Sequence, residues 1–150
     1  MNDFALDLPG PLRSRQPRRP PRMRAPLQVA IFAGGVAGAL ARAGIDRLLP
    51  GGGHGWPWAT FAANLTGVVL LGYLATRLQE GLPPSTYQRP LLGTGFCGAL
   101  TTFSTFQVEL LRLARNGHVA LALVYLAASV GAGLILFFLA TALARRVRVR

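Results

Sequence analysis

The sequence has no lysine, only five acidic residues and a single cysteine among its 150 residues. The lone Cys97 excludes an intrachain disulfide framework and a zinc site built from several cysteines. His54 and His118 are far apart and have no acidic residue at ligand spacing, so the sequence predicts no metal site made of side chains. It also contains no phosphate-binding glycine loop, catalytic pair of carboxylates or nucleophile–base pair. We therefore expect no enzymatic activity.

Charge is scarce and unevenly distributed. Only 14% of the residues are charged, whereas a soluble domain usually has about a quarter. The charged residues, which give a net charge of +11, crowd at the two ends of the chain, and long apolar stretches fill the middle. A hydrophobic content of 51% also excludes general disorder. The composition is typical of a membrane protein that resides in a lipid bilayer.

Both ends of the chain are basic. Residues 1–26 contain six arginines and six prolines, a composition that predicts a flexible tail without a core. The tail is interpreted as solvated, with contact to anionic lipid headgroups as the alternative. No aromatic or fold motif accompanies the arginines, so we expect no nucleic-acid partner. Met23 is an alternative start of the chain, and residues 145–150 form a second basic tail.

The region 27–144 is predicted to form four transmembrane helices. Its apolar segments are 27–49, 57–78, 91–113 and 118–143, and short loops rich in glycine, proline and asparagine separate them. Each segment has roughly 20 or more residues, enough to cross a hydrocarbon core of about 30 Å. The fold class expected from this pattern is an all-α membrane protein.

The arginines also predict the orientation in the membrane. With four spans both chain ends lie on one side, which holds twelve arginines, and the opposite side holds four. The positive-inside rule then places both ends in the cytoplasm. If the chain started at Met23, the count would be seven against four, and the bias would be weaker.

The third segment has an unusual composition for a membrane helix. Residues 93–106 include three glycines and five serines or threonines. Glycine and β-branched threonine both weaken helix preference, so the pattern predicts a break in the third helix near the bilayer centre. A break would free backbone carbonyls, which need protein, water or an ion as a partner. The alternative interpretation is an unbroken helix that packs closely through its small residues.

Several other polar or aromatic residues fall on helical stripes. Phe103 and Phe106 are three residues apart, and the positive edges of their rings can attract a small anion; their alternative role is to face lipid or the core. Asn64 follows Thr60 by one turn, and its amide can donate either to a neighbouring helix or to an anion. Tyr125 and Ser129 form a similar pair in the fourth segment.

Three runs together resemble the bacterial fluoride channel family, the Fluc or CrcB proteins. They are the run from Gly34 to Arg42 (GGVAGALAR), the pattern TxxxNxxG that begins at Thr60, and residues 95–106 (GFCGALTTFSTF). The first run alone is weakly specific, whereas TTFSTF combined with Asn64 is highly specific. The resemblance covers residues 27–143, and the N-terminal tail lies outside it.

The resemblance implies a subunit of four transmembrane helices that works as an antiparallel, dual-topology dimer with two fluoride pores and a central structural sodium ion. The residues expected to line the fluoride pore are Thr60, Asn64, Thr102, Phe103, Ser104, Thr105, Phe106, Tyr125 and Ser129. Backbone carbonyls of Gly98 and Thr101 are expected to hold the sodium ion. Structural roles in helix packing are expected for Gly34, Gly38, Arg42 and Gly67.

The function implied is passive export of cytoplasmic fluoride through the bacterial inner membrane, which would confer fluoride resistance. Because an antiparallel homodimer needs chains inserted in both orientations, the arginine bias conflicts with it; a heterodimer is the alternative, and we favour the homodimer. A small proton-coupled multidrug exporter is a rival function, although the first segment has only Asp46, near its end, as a membrane carboxylate. A membrane scaffold without transport activity is the second rival.

Overall fold

The computed structural model describes residues 25–49, 55–80 and 87–147. Most of the predicted N-terminal tail, the alternative start at Met23, and the last three residues of the C-terminal tail lie outside the described residues. Within the described ranges all regular secondary structure is helical, without strands. Its helices are α1 (Ala25–Leu48), α2 (Trp58–Glu80), α3 (π-helical Arg89–Cys97 followed by an α-helical turn, Gly98–Leu100), α4 (Phe103–Arg115) and α5 (Val119–Arg146).

Three of these helices are long and apolar enough to cross a membrane, namely Ala25–Leu48, Trp58–Leu78 and Val119–Arg146. The third predicted span is divided into α3 and α4, so the predicted break is observed, at Thr101 and Thr102. Large apolar side chains such as Phe32, Leu134 and Phe138 are exposed on the outer helix faces. Apolar surface of this kind is typical of contact with lipid.

Helices α1 and α3 approach each other through their backbones. A Cβ atom added to Gly34 would collide with the carbonyl of Leu91, and one added to Gly38 would collide with the carbonyl of Phe96. On the opposite helix, a Cβ atom at Gly95 would lie 2.5 Å from the carbonyl oxygen of Ile31. Glycine is therefore required on both sides of this contact, as in other close helix pairs in membranes.

Side chains fill the space between α2, α4 and α5. The core there consists of Phe106, Leu113, Ala122 and Tyr125, against which Trp56, Phe61, Leu110 and Leu121 pack. The contact of Trp56 with Tyr125 places the start of α2 beside the start of α5. The end of α4 lies at the same end of the bundle, because only residues 116–118 separate it from the start of α5.

Candidate functional site

The break in the third span is an ordered structure with its own hydrogen bonds. Thr101 and Thr102 are extended, with ψ angles of 155° and 123°. The amide and the hydroxyl of Thr101 both donate to the carbonyl of Cys97, at 3.1 and 3.0 Å, and complete the last turn of α3. The Thr102 hydroxyl accepts a hydrogen bond from the amide of Thr105 at 3.2 Å, so it caps the start of α4.

Asn64 of α2 holds the break in place. Its Oδ1 atom accepts a hydrogen bond from the backbone amide of Thr102 at 2.8 Å, and its Nδ2 atom donates to the carbonyl of the same residue at 3.1 Å. The first of these bonds replaces the helical bond that the Thr102 amide loses, and the second gives the carbonyl of this N-cap residue an additional donor. Only one of the two amide hydrogens of Asn64 is used in this pairing.

The same hydrogen bonds leave two carbonyls without their helical donors. In a continuous α-helix the carbonyl of Gly98 would accept from the amide of Thr102, and that of Thr101 would accept from the amide of Thr105. Here the Thr102 amide donates to Asn64, and the Thr105 amide donates to the Thr102 hydroxyl. Gly98 is exposed, so its part of the break is at the surface of the chain.

A groove of about 360 Å³ lies beside the break. Asn64, Gly98, Thr101 and Phe103 are among the residues that line it, and the lining is mainly apolar. Gly67 makes room for the break, because a Cβ atom there would collide with the methyl group of Thr101. The broken segment therefore forms part of the surface of this groove.

The two phenylalanines at the start of α4 have different environments. Phe103 is 70% exposed at the groove, whereas Phe106 is only 7% exposed and belongs to the core. Their ring centroids are 6.3 Å apart, and the ring of Phe106 lies 5.1 Å from that of Tyr125. The pair therefore connects the groove to the interior between α2, α4 and α5.

Glu109 gathers two of the predicted residues around its carboxylate. Its Oε1 atom accepts from the hydroxyl of Thr60 at 2.7 Å, and its Oε2 atom accepts from the hydroxyl of Tyr125 at 2.9 Å. Thr60 and Tyr125 are both buried. Glu109 is not among the site residues that the sequence predicted. An acidic residue in an apolar span is the signal that could have identified it.

The remaining predicted residues lie around this column of polar groups. Ser104 and Thr105 are exposed at the start of α4, and the Thr102 hydroxyl donates to that of Thr105 at 3.0 Å. Ser129 lies one turn beyond Tyr125, and its buried hydroxyl has no hydrogen-bond partner among the described residues. Arg42 is half-buried on α1.

Asn64, Thr102 and the two phenylalanines thus mark one level of the bundle, and Thr60, Glu109 and Tyr125 mark a second level. The two levels are one helical turn apart, about 6 Å along α2. The arrangement is a column of hydrogen-bonding groups between helices, with carbonyl oxygens at one end and a carboxylate near the other.

Comparison with known proteins gives consistent matches. A family model described as "CrcB-like protein, Camphor Resistance (CrcB)" matches residues 29–141. The protein named fluoride-specific ion channel FluC 1 from Mycolicibacterium paratuberculosis is 56% identical over 121 residues, which cover 81% of this chain and 92% of the relative. FluC of Chlorobaculum tepidum is 42% identical over 115 residues, 77% of this chain and 91% of the relative. FluC 1 of Streptomyces coelicolor is 37% identical over 140 residues, 93% of this chain and 91% of the relative.

Proposed function

The chain belongs to the CrcB family and is a multi-pass bacterial membrane protein, and from this premise we propose that it is a passive, fluoride-selective ion channel. The observation that carries the proposal is the broken third span, fastened to Asn64 and continued by a buried column of polar groups. The names of its relatives, fluoride-specific ion channels, support the choice of ion.

Fluoride determines what such a pathway must provide. The ion is small and strongly hydrated, and it accepts hydrogen bonds but cannot donate them. A pathway must therefore replace its water with N–H and O–H groups, and must bind weakly enough to release the ion. The second amide hydrogen of Asn64 and the free hydroxyl of Ser129 are donors of this kind. Neither carries a full positive charge that would trap the ion.

The phenylalanine rings supply weaker attraction between these donors. The edge of an aromatic ring carries a partial positive charge. Phe103 faces the groove and Phe106 faces the interior, so the two rings occupy successive positions beside Thr102. We propose that fluoride passes along these edges between the Asn64 level and the Tyr125 level.

Glu109 places a negative charge beside the proposed pathway. Its carboxylate holds the hydroxyl hydrogens of Thr60 and Tyr125, which are the donors nearest to it. A fluoride ion that arrives can compete for the same hydrogens by a rotation of either hydroxyl. We propose that Glu109 positions these donors and also weakens fluoride binding through like-charge repulsion, which favours release.

The break also fits a sodium ion. Gly98 and Thr101 offer carbonyl oxygens whose helical donors are engaged elsewhere, and oxygen atoms are suitable ligands for this hard cation. Gly98 is exposed, so the carbonyls of a second chain can approach those of the first. When bound, the ion would supply positive charge that neutralises these dipoles. We propose that it joins two subunits in this way.

We propose an antiparallel homodimer as the assembly. The exposed groove beside the break, which includes Gly98 and Phe103, is the face that a second copy would cover. The arginine bias of the full sequence opposes insertion in both orientations, whereas a chain that starts at Met23 has a weaker bias. Residues 1–22 lie outside the region that the family model matches, so we expect a chain beginning at Met23 to conduct as well. Loss of assembly in the shortened chain would contradict this expectation.

The proposed physiological role is resistance to fluoride. The ion enters cells as the neutral acid and ionises in the cytoplasm, where it accumulates. A membrane potential that is negative inside drives an anion outward, so a passive channel in the inner membrane exports it without an energy source.

The test is ion efflux from liposomes that contain this polypeptide alone. Vesicles loaded with potassium fluoride are made permeable to potassium, and fluoride release is recorded with an ion-selective electrode; a second set is loaded with potassium chloride. We expect rapid fluoride release without a proton gradient, and no chloride release above that of empty vesicles. Vesicles that release no fluoride, or that release both ions equally, would refute the proposal.

A further inference from the structure

Two buried polar side-chain atoms have no hydrogen-bond partner among the described residues. They are the Oγ atom of Ser129 and the indole Nε1 atom of Trp56. Ser129 is already among the residues expected in the fluoride pore, whereas Trp56 was assigned no role. The N–H group of a buried tryptophan usually finds a partner, because an unsatisfied donor is unfavourable. The indole of Trp56 therefore requires an explanation of its own.

Trp56 lies directly against the polar column. Its ring makes an edge contact with the ring of Tyr125, with centroids 5.3 Å apart and planes at 76°. It makes a second edge contact with Phe61, also at 5.3 Å and at 83°. Trp56 comes just before α2, so it lies on the side of Tyr125 that is nearer the end of the bundle. Ser129 lies one turn from Tyr125 in the other direction along α5.

The donors between these two residues are engaged. The hydroxyls of Thr60 and Tyr125 both donate to Glu109. An anion on this route therefore reaches a carboxylate whose neighbouring hydrogens are already used. The indole N–H of Trp56 lies farther toward the end of the bundle and is a buried side-chain donor without a partner among the described residues.

We propose that the indole N–H of Trp56 is a fluoride ligand at the mouth of the pathway, on the outer side of the Glu109 level. This inference rests on the proposed channel function. The N–H group replaces part of the hydration shell while the ion passes the carboxylate. Because the indole is neutral, it can donate a hydrogen bond and still release the ion to solvent. The edge contacts with Phe61 and Tyr125 hold the ring and so fix the direction of its N–H group.

A role in packing alone is the competing explanation, and it makes a different prediction. Packing depends on the shape of the indole ring and not on its nitrogen. The test therefore replaces Trp56 by β-(3-benzothienyl)alanine, which keeps the bicyclic shape and has sulfur in place of the N–H group. The same replacement at Trp58, a residue that is 58% exposed, is the matched control.

We expect the replacement at Trp56 to slow fluoride efflux from liposomes about tenfold, the effect of losing one hydrogen bond to the ion. The replacement at Trp58 should leave the efflux rate unchanged. Normal efflux with the benzothienyl group at position 56 would overturn this inference alone. If vesicles with the wild-type protein release no fluoride, the proposed channel function itself is overturned.

Direct contact with the ion is tested by NMR. The chain has two tryptophans, so a Trp58→Phe protein labelled with ¹⁵N shows a single indole N–H signal, that of Trp56. We titrate this protein with sodium fluoride and, at equal ionic strength, with sodium chloride. The signal should move with fluoride and stay fixed with chloride. An indole signal whose chemical shift does not change at fluoride concentrations that support conduction would overturn the proposal. A signal that moves equally with both salts would also overturn it.

Discussion

The two halves of the third span are held in the bundle by opposite means. Helix α3 lies against α1 through backbone contacts at Gly34, Gly38 and Gly95, where side chains are absent. Helix α4 is held by its side chains, because Phe106 and Leu113 enter the core and Glu109 accepts hydrogen bonds from α2 and α5. The break at Thr101 and Thr102 lies where one kind of packing gives way to the other.

This difference explains why the chain is interrupted at that point. A continuous helix would have to satisfy the close approach of α3 to α1 and the side-chain contacts of α4 with one straight axis. The extended residues Thr101 and Thr102 remove that constraint, and Asn64 provides an acceptor for the Thr102 amide, which has lost its helical one. The glycine half should therefore determine the stability of the subunit fold, and the side-chain half should determine conduction. The predictions below test this division.

The largest effect is expected in the glycine half, from Gly38→Ala. The added Cβ atom would collide with the backbone carbonyl of Phe96, which no side-chain rotation can relieve. We expect a loss of stability of about 1–3 kcal/mol and a poor yield of assembled protein. The measurement is the fraction of protein that remains monodisperse after heating in detergent.

The matched control for this change is Gly35→Ala, because a Cβ atom added at Gly35 meets nothing within 4 Å. Alanine favours a helix over glycine by roughly 0.5–1 kcal/mol, so this variant should be as stable as the wild type or slightly more stable. Equal losses in the two variants would show that the α1–α3 contact does not depend on the absence of side chains.

The next largest effect is expected from Asn64→Asp. The carboxylate can still accept from the Thr102 amide, but it cannot donate to the Thr102 carbonyl, and it adds a negative charge beside the proposed pathway. Repulsion between two unit charges about 4 Å apart amounts to about 4 kcal/mol at an effective dielectric constant of about 20. We expect fluoride efflux from liposomes to fall at least about a hundredfold.

The control for the charge is Asn116→Asp, the same chemical change at an exposed residue after α4. Its efflux rate should equal that of the wild type. If Asn64→Asp conducted normally, the hydrogen bonds of Asn64 to the break would have only a minor role, and the division between the two halves would lose its main support.

A smaller loss is expected from Phe106→Ile. Isoleucine keeps an apolar side chain in the core but lacks the positive ring edge and the ring contact with Tyr125. We expect fluoride efflux to fall about tenfold while the protein stays folded and assembled. Phe138→Ile, an exposed ring on α5 outside the column, serves as the control and should conduct normally. Equal efflux in all three proteins would exclude a role for the ring edge.

The sequence predicted the apolar segments and the presence of a break better than the contacts that position them. The four apolar segments could be found because a membrane span must be long and apolar, and the break was expected because residues 93–106 are rich in glycine and threonine. The position of the break could not be derived in this way, because it depends on Asn64, which lies 38 residues from Thr102. The π-helical winding of Arg89–Cys97 was not predicted from the sequence either.

Glu109 shows the same limit at the site. Its two partners, Thr60 and Tyr125, lie 49 and 16 residues away in sequence, so no local pattern connects the three. Thr60 was selected through its spacing from Asn64, and Tyr125 through its spacing from Ser129. The carboxylate that joins them is visible only when α2, α4 and α5 are packed together.

The smallest effect is expected from Glu109→Gln. This variant tests whether conduction depends on the negative charge of Glu109 or only on the hydrogen bonds that Glu109 accepts. Glutamine keeps one acceptor oxygen, so one of the two hydroxyls of Thr60 and Tyr125 loses its partner and becomes free to donate to fluoride. The repulsion that favours release is also lost. We therefore expect tighter fluoride binding with efflux only a few-fold slower, measured as a lower fluoride concentration at half-maximal rate. An unchanged half-maximal concentration would mean that Glu109 acts solely as a structural acceptor in the core.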